Sequence, residues 1–160
     1  MGCPGLGVFL DLPNVAHVDA QPRIVAVDVG RRRIGLAVTD PLRLFARAVG
    51  TFPPPVALEE LRKIHEADGI ETVVVGWPLT EDGQEGEAVA RTKPFITRLR
   101  KALPGVEVEV QDERYSTKRA QAALLAQGVG RKKRRKAEGR VDAAAAAVIL
   151  QDWLSENGEG

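Results

Sequence analysis

The sequence predicts an α/β domain on a mixed five-stranded sheet flanked by helices, and three observations carry that expectation. Ile24-Val25-Ala26-Val27-Asp28-Val29 and Thr72-Val73-Val74-Val75-Gly76 are continuous apolar runs rich in β-branched residues. Runs of that kind belong to strands covered on both faces. Three strand patterns follow one another directly up to Phe52, and beyond Phe52 helical and strand patterns alternate.

Residues 1–22 read as a poorly ordered extension. Met1 to Gly7 is rich in Gly and Pro, and Val8-Phe9-Leu10-Asp11 imitates a strand but meets Pro13 at once. No basic segment precedes that short apolar run, which argues against a secretory signal. The domain proper is expected over 23–155, with 156–160 as a tail. Its first strand is 24–29, followed by the basic turn Arg31-Arg32-Arg33 and a second strand, 34–39, returning as a hairpin. Asp40-Pro41 punctuates, and a third strand fits 45–52. Pro53-Pro54-Pro55 reads as a stiff connector ending that strand. Leu58, Leu61 and Ile64 give helical spacing over 56–67. After the strand at 72–76 and an acidic loop at 80–86, a helical pattern runs through Val89, Phe95, Ile96, Leu99 and Leu103. Pro94 is expected to break or kink it. Residues 106–111 alternate strictly, as a half-exposed edge strand does. Ser116 or Thr117 caps a helix reaching Gln127 and stopping at Gly128. The Ala-rich stretch 141–154 closes the chain as a helix with Asp142 in its first turn, its alanines small enough to lie close on the sheet.

Composition narrows the class. The chain has 160 residues, 44% hydrophobic and 28% charged, enough for one domain with a sizeable core. No apolar run is long enough to span a bilayer. Cys3 is the sole cysteine, which excludes an internal disulfide framework and suits a reducing cytoplasm. A net charge of +1 hides a segregation. Arg131, Lys132, Lys133, Arg134, Arg135, Lys136 and Arg140 hold seven of the 23 basic residues; without them and Glu138 the chain carries 16 basic against 21 acidic groups. A basic block on an otherwise acidic chain points to a polyanion met at one place.

Asp28 ends the first strand, Glu113 follows the last, and Asp142 opens the final helix. Acidic residues at element termini, where α/β sheets place ligands, can converge on hard divalent cations through oxygen. Two such ions would serve phosphodiester hydrolysis. Each residue also has a plain structural reading: Asp28 with Gly30 as a turn, Glu113 as a strand end paired with its own Arg114, Asp142 as a helix-dipole residue. The basic block and Arg31, Arg32 and Arg33 would neutralise phosphates; the plain alternative is a solvated loop. His65 reads as a packing residue, and two scattered histidines make no zinc pattern. Trp77 reads more as packing than as a base-stacking platform, and Tyr115 as a better stacking candidate.

Four stretches resemble the YqgF (RuvX) family: Val27-Asp28-Val29-Gly30-Arg31-Arg32-Arg33-Ile34-Gly35 onward to Asp40, Val74-Val75-Gly76-Trp77-Pro78-Leu79, Asp112-Glu113-Arg114-Tyr115-Ser116-Thr117, and Val141-Asp142-Ala143-Ala144-Ala145 with Ile149-Leu150-Gln151-Asp152. They stand in the family's order across residues 23–154. The resemblance implies a ribonuclease-H-like fold and a cytoplasmic metal-dependent nuclease in which Asp28, Glu113 and Asp142 hold Mg²⁺ or Mn²⁺. Arg31 to Arg33, Arg114 and Arg131 to Lys136 would then contact nucleic acid. Family members are described as nucleases maturing the 5′ end of pre-16S rRNA and as Holliday-junction resolvases. The first implies RNA, with ribosomal precursor particles as partners; the second implies branched DNA and a homodimer. The chain departs from the family pattern at Val29, Trp77, Pro94 and the N-terminal extension. Two further alternatives are a non-catalytic nucleic-acid-binding module and an actin-like ATPase fragment. Clustered carboxylates argue against the first, and Arg31 after Gly30 argues against the second. A fourth carboxylate, Asp40 or Asp112, is left open.

Overall fold

A computed structural model describes residues 21–113 and 138–157, with the backbone alone for 138–142. Five strands form one sheet: β1 (Arg23–Val29), β2 (Ile34–Thr39), β3 (Ala46–Phe52), β4 (Ile70–Trp77) and β5 (Glu107–Asp112), in the order β3-β2-β1-β4-β5. β2 pairs antiparallel with β1 and β3, whereas β4 runs parallel to β1 and β5, so the sheet is the mixed five-stranded one expected. Three helices complete the described architecture: α1 (Pro54–Asp68), α2 (Glu87–Ala102) and α3 (Glu138–Glu156).

Strand periodicity sorts the core into two layers. Val25, Val27 and Val29 face Leu61 of α1 and Phe95 and Leu99 of α2. Ile24 and Ala26 face Ala146, Ile149, Leu150 and Leu154 of α3. Both sides of β1 are therefore covered, which is why its sequence is continuously apolar. Leu61 and Leu99 are fully buried, each contributing about 1.5–3 kcal/mol of hydrophobic stabilisation. Because side chains alternate with period two, Asp28 falls on the α3 side with Ile24 and Ala26. β5 is an edge strand with Val110 exposed, as its alternating pattern predicts.

Three boundaries differ from the sequence reading. Pro54 and Pro55 belong to α1, because a first-turn proline lacks only an N–H that has no intrahelical partner anyway. α2 runs unbroken through Pro94. Its buried stripe of Val89, Thr92, Phe95, Ile96 and Leu99 lies on both sides of the proline, and Pro94 itself is exposed, so packing outweighs the lost hydrogen bond. α3 begins at Glu138, so Asp142 stands in the second turn rather than the first. His65 is a capping group: its backbone carbonyl accepts the Gly69 N–H at 2.9 Å and its Nδ1 accepts the Ile70 N–H at 2.9 Å. The N-terminal extension up to residue 20, the helix expected over 116–127, Tyr115, Arg114 and the block Arg131 to Lys136 lie outside the described residues. Among the described residues no helix is long and apolar enough to cross a membrane.

Candidate active site

The carboxyl ends of the parallel strands β1, β4 and β5 lie side by side, and two of the three acidic residues singled out from sequence meet there. Asp28, one residue before the end of β1, is 7% exposed, and Glu113, the residue after β5, is 8% exposed. Ionised carboxylates are rarely buried to that degree without hydrogen-bonding or cationic compensation.

Gly76 brings them together. On β4 it pairs with Gln111 of β5, and one step beyond the Val27–Val75 pair it falls beside Asp28. A Cβ on Gly76 would lie 2.7 Å from both Cδ and Oε2 of Glu113 and 2.7 Å from Cδ1 of Ile149. The Glu113 carboxyl therefore rests directly over the Gly76 backbone on the α3 side of the sheet. It thus lies over β4, the strand that neighbours Asp28 on β1. The Glu113 N–H donates to the Trp77 carbonyl at 3.2 Å, which carries the β5 backbone along β4 past the last strand pair. Trp77 itself is partly buried against the core layer of α1 and α2, so its ring packs.

Position 142 precedes Ala146 by four residues and Ile149 by seven, which on a helix is the stripe that faces the sheet. The Asp142 side chain is outside the described atoms, and its membership of the site rests on the sequence. Among the described residues, which exclude that side chain, no group of three His, Cys, Asp or Glu side chains is placed to hold a metal. Asp28 and Glu113 nevertheless offer hard oxygen donors of the type Mg²⁺ and Mn²⁺ take, on the α3 side of the sheet at the carboxyl ends of its parallel strands. The residues present fit such an ion.

Neither candidate for a fourth carboxylate joins them. Asp40 follows β2, and because β2 is antiparallel to β1, it lies at the opposite end of the sheet from Asp28. Its carboxylate is committed to its own loop: Oδ1 accepts the Leu44 and Phe45 N–H groups, each at 2.7 Å, and Oδ2 accepts Leu42 at 3.1 Å. These bonds, that from Phe45 foremost, hold its pKa below the ordinary carboxylate value against an opposing desolvation effect. Arg43, with φ of 57°, belongs to the same loop; its buried guanidinium donates to the Pro22 carbonyl and pairs with Glu71 at 2.7 Å. Asp112 is exposed and, one residue before Glu113, alternates to the other face.

Arg31, Arg32 and Arg33 are exposed on the turn between β1 and β2, which a Gly30 N–H to Arg33 carbonyl bond of 2.9 Å closes. They therefore sit at the Asp28 end of the sheet. Sequence reading missed the role of Gly76, although a glycine closing an apolar strand was the available signal. It also missed a tether between α3 and β5, in which the Trp153 indole N–H donates to Glu109 at 2.7 Å and Gln111 donates to Glu156 at 2.9 Å.

Comparison with known proteins agrees with the motifs. The relative from Salinibacter ruber, named "Putative pre-16S rRNA nuclease", is 48% identical over 144 residues, covering 90% of this chain and all of its own. A relative of the same name from Chlorobium luteolum is 47% identical over 135 residues, covering 84% of this chain and 95% of its own. Among solved structures, RuvC of Thermus thermophilus aligns with a TM-score of 0.48 at 16% identity, over 86% of this chain and 97% of that one. The family described as "RuvX: Holliday junction resolvase" matches residues 22–156. With its motifs in order and most of its length matched, the chain belongs to the RuvX family.

Proposed function

We propose that this protein is a divalent-metal-dependent nuclease that hydrolyses phosphodiester bonds in RNA and matures the 5′ end of pre-16S rRNA. The observation that carries the proposal is the buried pair of Asp28, beside Gly76, and Glu113, over it, in a chain whose relatives bear the nuclease name. Asp28, Glu113 and Asp142 would hold Mg²⁺ or Mn²⁺. When bound, the ion supplies Lewis-acid charge to the phosphate undergoing hydrolysis. The chain's own contributions are distinct. Ile149 and Ala146 of α3 cover the sheet face behind the carboxylates and keep water from their buried side. Arg31, Arg32 and Arg33 stand exposed beside Asp28, where they would engage the phosphates flanking the scissile bond. Arg114 and Arg131 to Lys136 would extend that contact along the strand. An rRNA precursor substrate implies action in the cytoplasm on ribosomal precursor particles. Residues 1–22 would serve as an extension outside the nuclease domain.

The family's description as a Holliday junction resolvase favours a second reading, resolution of four-way DNA, which requires two copies of the chain for paired cuts. The test sets labelled pre-16S leader RNA beside a four-way DNA junction, each with Mn²⁺ or EDTA. Asp28→Asn serves as the control for contaminating nuclease. The replacement keeps the side-chain shape but removes the charge. Loss of an outer-shell partner typically costs about 10–100-fold, so loss of a direct ligand should cost at least roughly 100-fold. RNA cut only with metal and only by the wild type supports the proposal. Paired cuts in the junction alone select the resolvase. Cleavage of neither substrate leaves a binding module, and full activity of Asp28→Asn removes the carboxylate mechanism.

A further inference from the structure

Gly76 is in close contact on two sides. One side is Glu113, whose Cδ and Oε2 stand 2.7 Å from where a Cβ would be; the other is Ile149 Cδ1 of α3, also at 2.7 Å. Real Cβ atoms essentially never come that close to a neighbour, so any side chain here displaces one group or both. Both groups are side-chain ends, and they differ in what holds them. Ile149 is 1% exposed in the core layer of α3, where its end is packed. The Glu113 carboxyl ends a rotatable side chain, and its backbone lies just beyond the last pair of an edge strand. An added methyl group would therefore move Glu113 first. Ile149 stands seven residues, two helical turns, from Asp142, so the same slot seats the helix that carries the third acidic residue.

We propose that Gly76 is a positioning residue of the active site: its bare backbone is the floor that fixes the Glu113 carboxylate beside Asp28 and sets the depth at which α3 lies. This rests on the metal-dependent reading above and assigns the strand glycine a part in it. A glycine needed only for backbone freedom would have an unusual φ, and Gly76 is not among the positive-φ glycines. The requirement here is the space.

The test uses the full chain in four forms: wild type, Gly76→Ala, Glu113→Ala and the double variant. Thermal unfolding in EDTA reads the contact with no metal present. Gly76→Ala should lower Tm in the wild-type background and cost less where Glu113 has already been cut back to Ala; equal costs in both backgrounds would overturn the proposal. Calorimetric titration with Mn²⁺ alone reads the positioning. Gly76→Ala should remain folded and bind Mn²⁺ about 10–100-fold more weakly, as losses of ligand-orienting groups do. Adding Ile149→Val to Gly76→Ala, which removes the methyl group on the helix side but leaves the Glu113 contact, should recover only part of the lost Tm and none of the Mn²⁺ affinity. Recovery of both would make Gly76 a packing residue only. Wild-type affinity in Gly76→Ala overturns the positioning role and leaves the nuclease reading intact. A wild type that takes up no Mn²⁺ overturns the nuclease reading, and the positioning role with it.

Discussion

Replacing Asp40 with Asn separates the carboxylate that builds the fold from those that build the site. In the native loop both Asp40 oxygens are used, with two backbone N–H groups on Oδ1 and one on Oδ2. Asparagine keeps an acceptor for Leu44 and Phe45 but turns an NH₂ group toward the Leu42 N–H, so one bond is lost and two lose their charge. A net hydrogen bond contributes about 0.5–1.5 kcal/mol, more when charged. This loop faces solvent, which screens the charge, so the expected cost is about 1–2 kcal/mol. For a chain of this size that is a fall in Tm of roughly 2–8 °C. The pH dependence has a definite sign. The folded pKa of Asp40 is lowered, so its stabilisation is fully present above the unfolded value of about 3.9 and disappears as pH falls through the folded one. Urea unfolding of both proteins should therefore show a gap at pH 7 that narrows steadily below about pH 4. RNA cleavage at pH 7 should be unchanged, because Asp40 lies at the far end of the sheet from Asp28. A gap of equal size at pH 7 and pH 2.5 would refute the clamp. Cleavage lost in a folded Asp40→Asn protein would refute the assignment of the site.

Pro94→Ala should stabilise the protein by about 1–3 kcal/mol, since the position is exposed, the helix is already continuous, and alanine restores the missing N–H; an unchanged or lower Tm in thermal unfolding would mean that the proline is accommodated without cost. Changing Arg31, Arg32 and Arg33 together to Ala should weaken RNA binding and reduce its salt dependence by roughly one unit of log–log slope for each phosphate no longer neutralised. Filter binding over a salt series checks this, and an unchanged slope would remove the turn from the nucleic-acid surface.

Periodicity made most of the sheet legible, because a strand covered on both faces must be apolar throughout and an edge strand must alternate. That logic located β1, β2 and β4 closely and identified β5 as an edge. The same local signals placed Asp28 and Glu113 at strand ends, Asp28 as the polar residue in an otherwise apolar run and Glu113 just past an alternating one. Local signals misjudged Pro94, where burial of Phe95, Ile96 and Leu99 outweighs a backbone penalty that sequence shows and packing hides. They also set Asp142 in a first turn that the helix start at Glu138 makes a second.

The sequence by itself determined the sheet-forming runs and which acidic residues terminate them, because both follow from the burial of neighbouring residues along one strand. Tertiary structure decided which carboxylates meet. Asp28 and Glu113 are brought side by side only when β1, β4 and β5 pair in parallel, and parallel pairing needs long crossovers whose register no short stretch of sequence encodes. The same pairing puts Gly76 under Glu113 and sends Asp40 to the other end of the sheet, so space and strand direction, rather than residue type, separate a site carboxylate from a loop clamp.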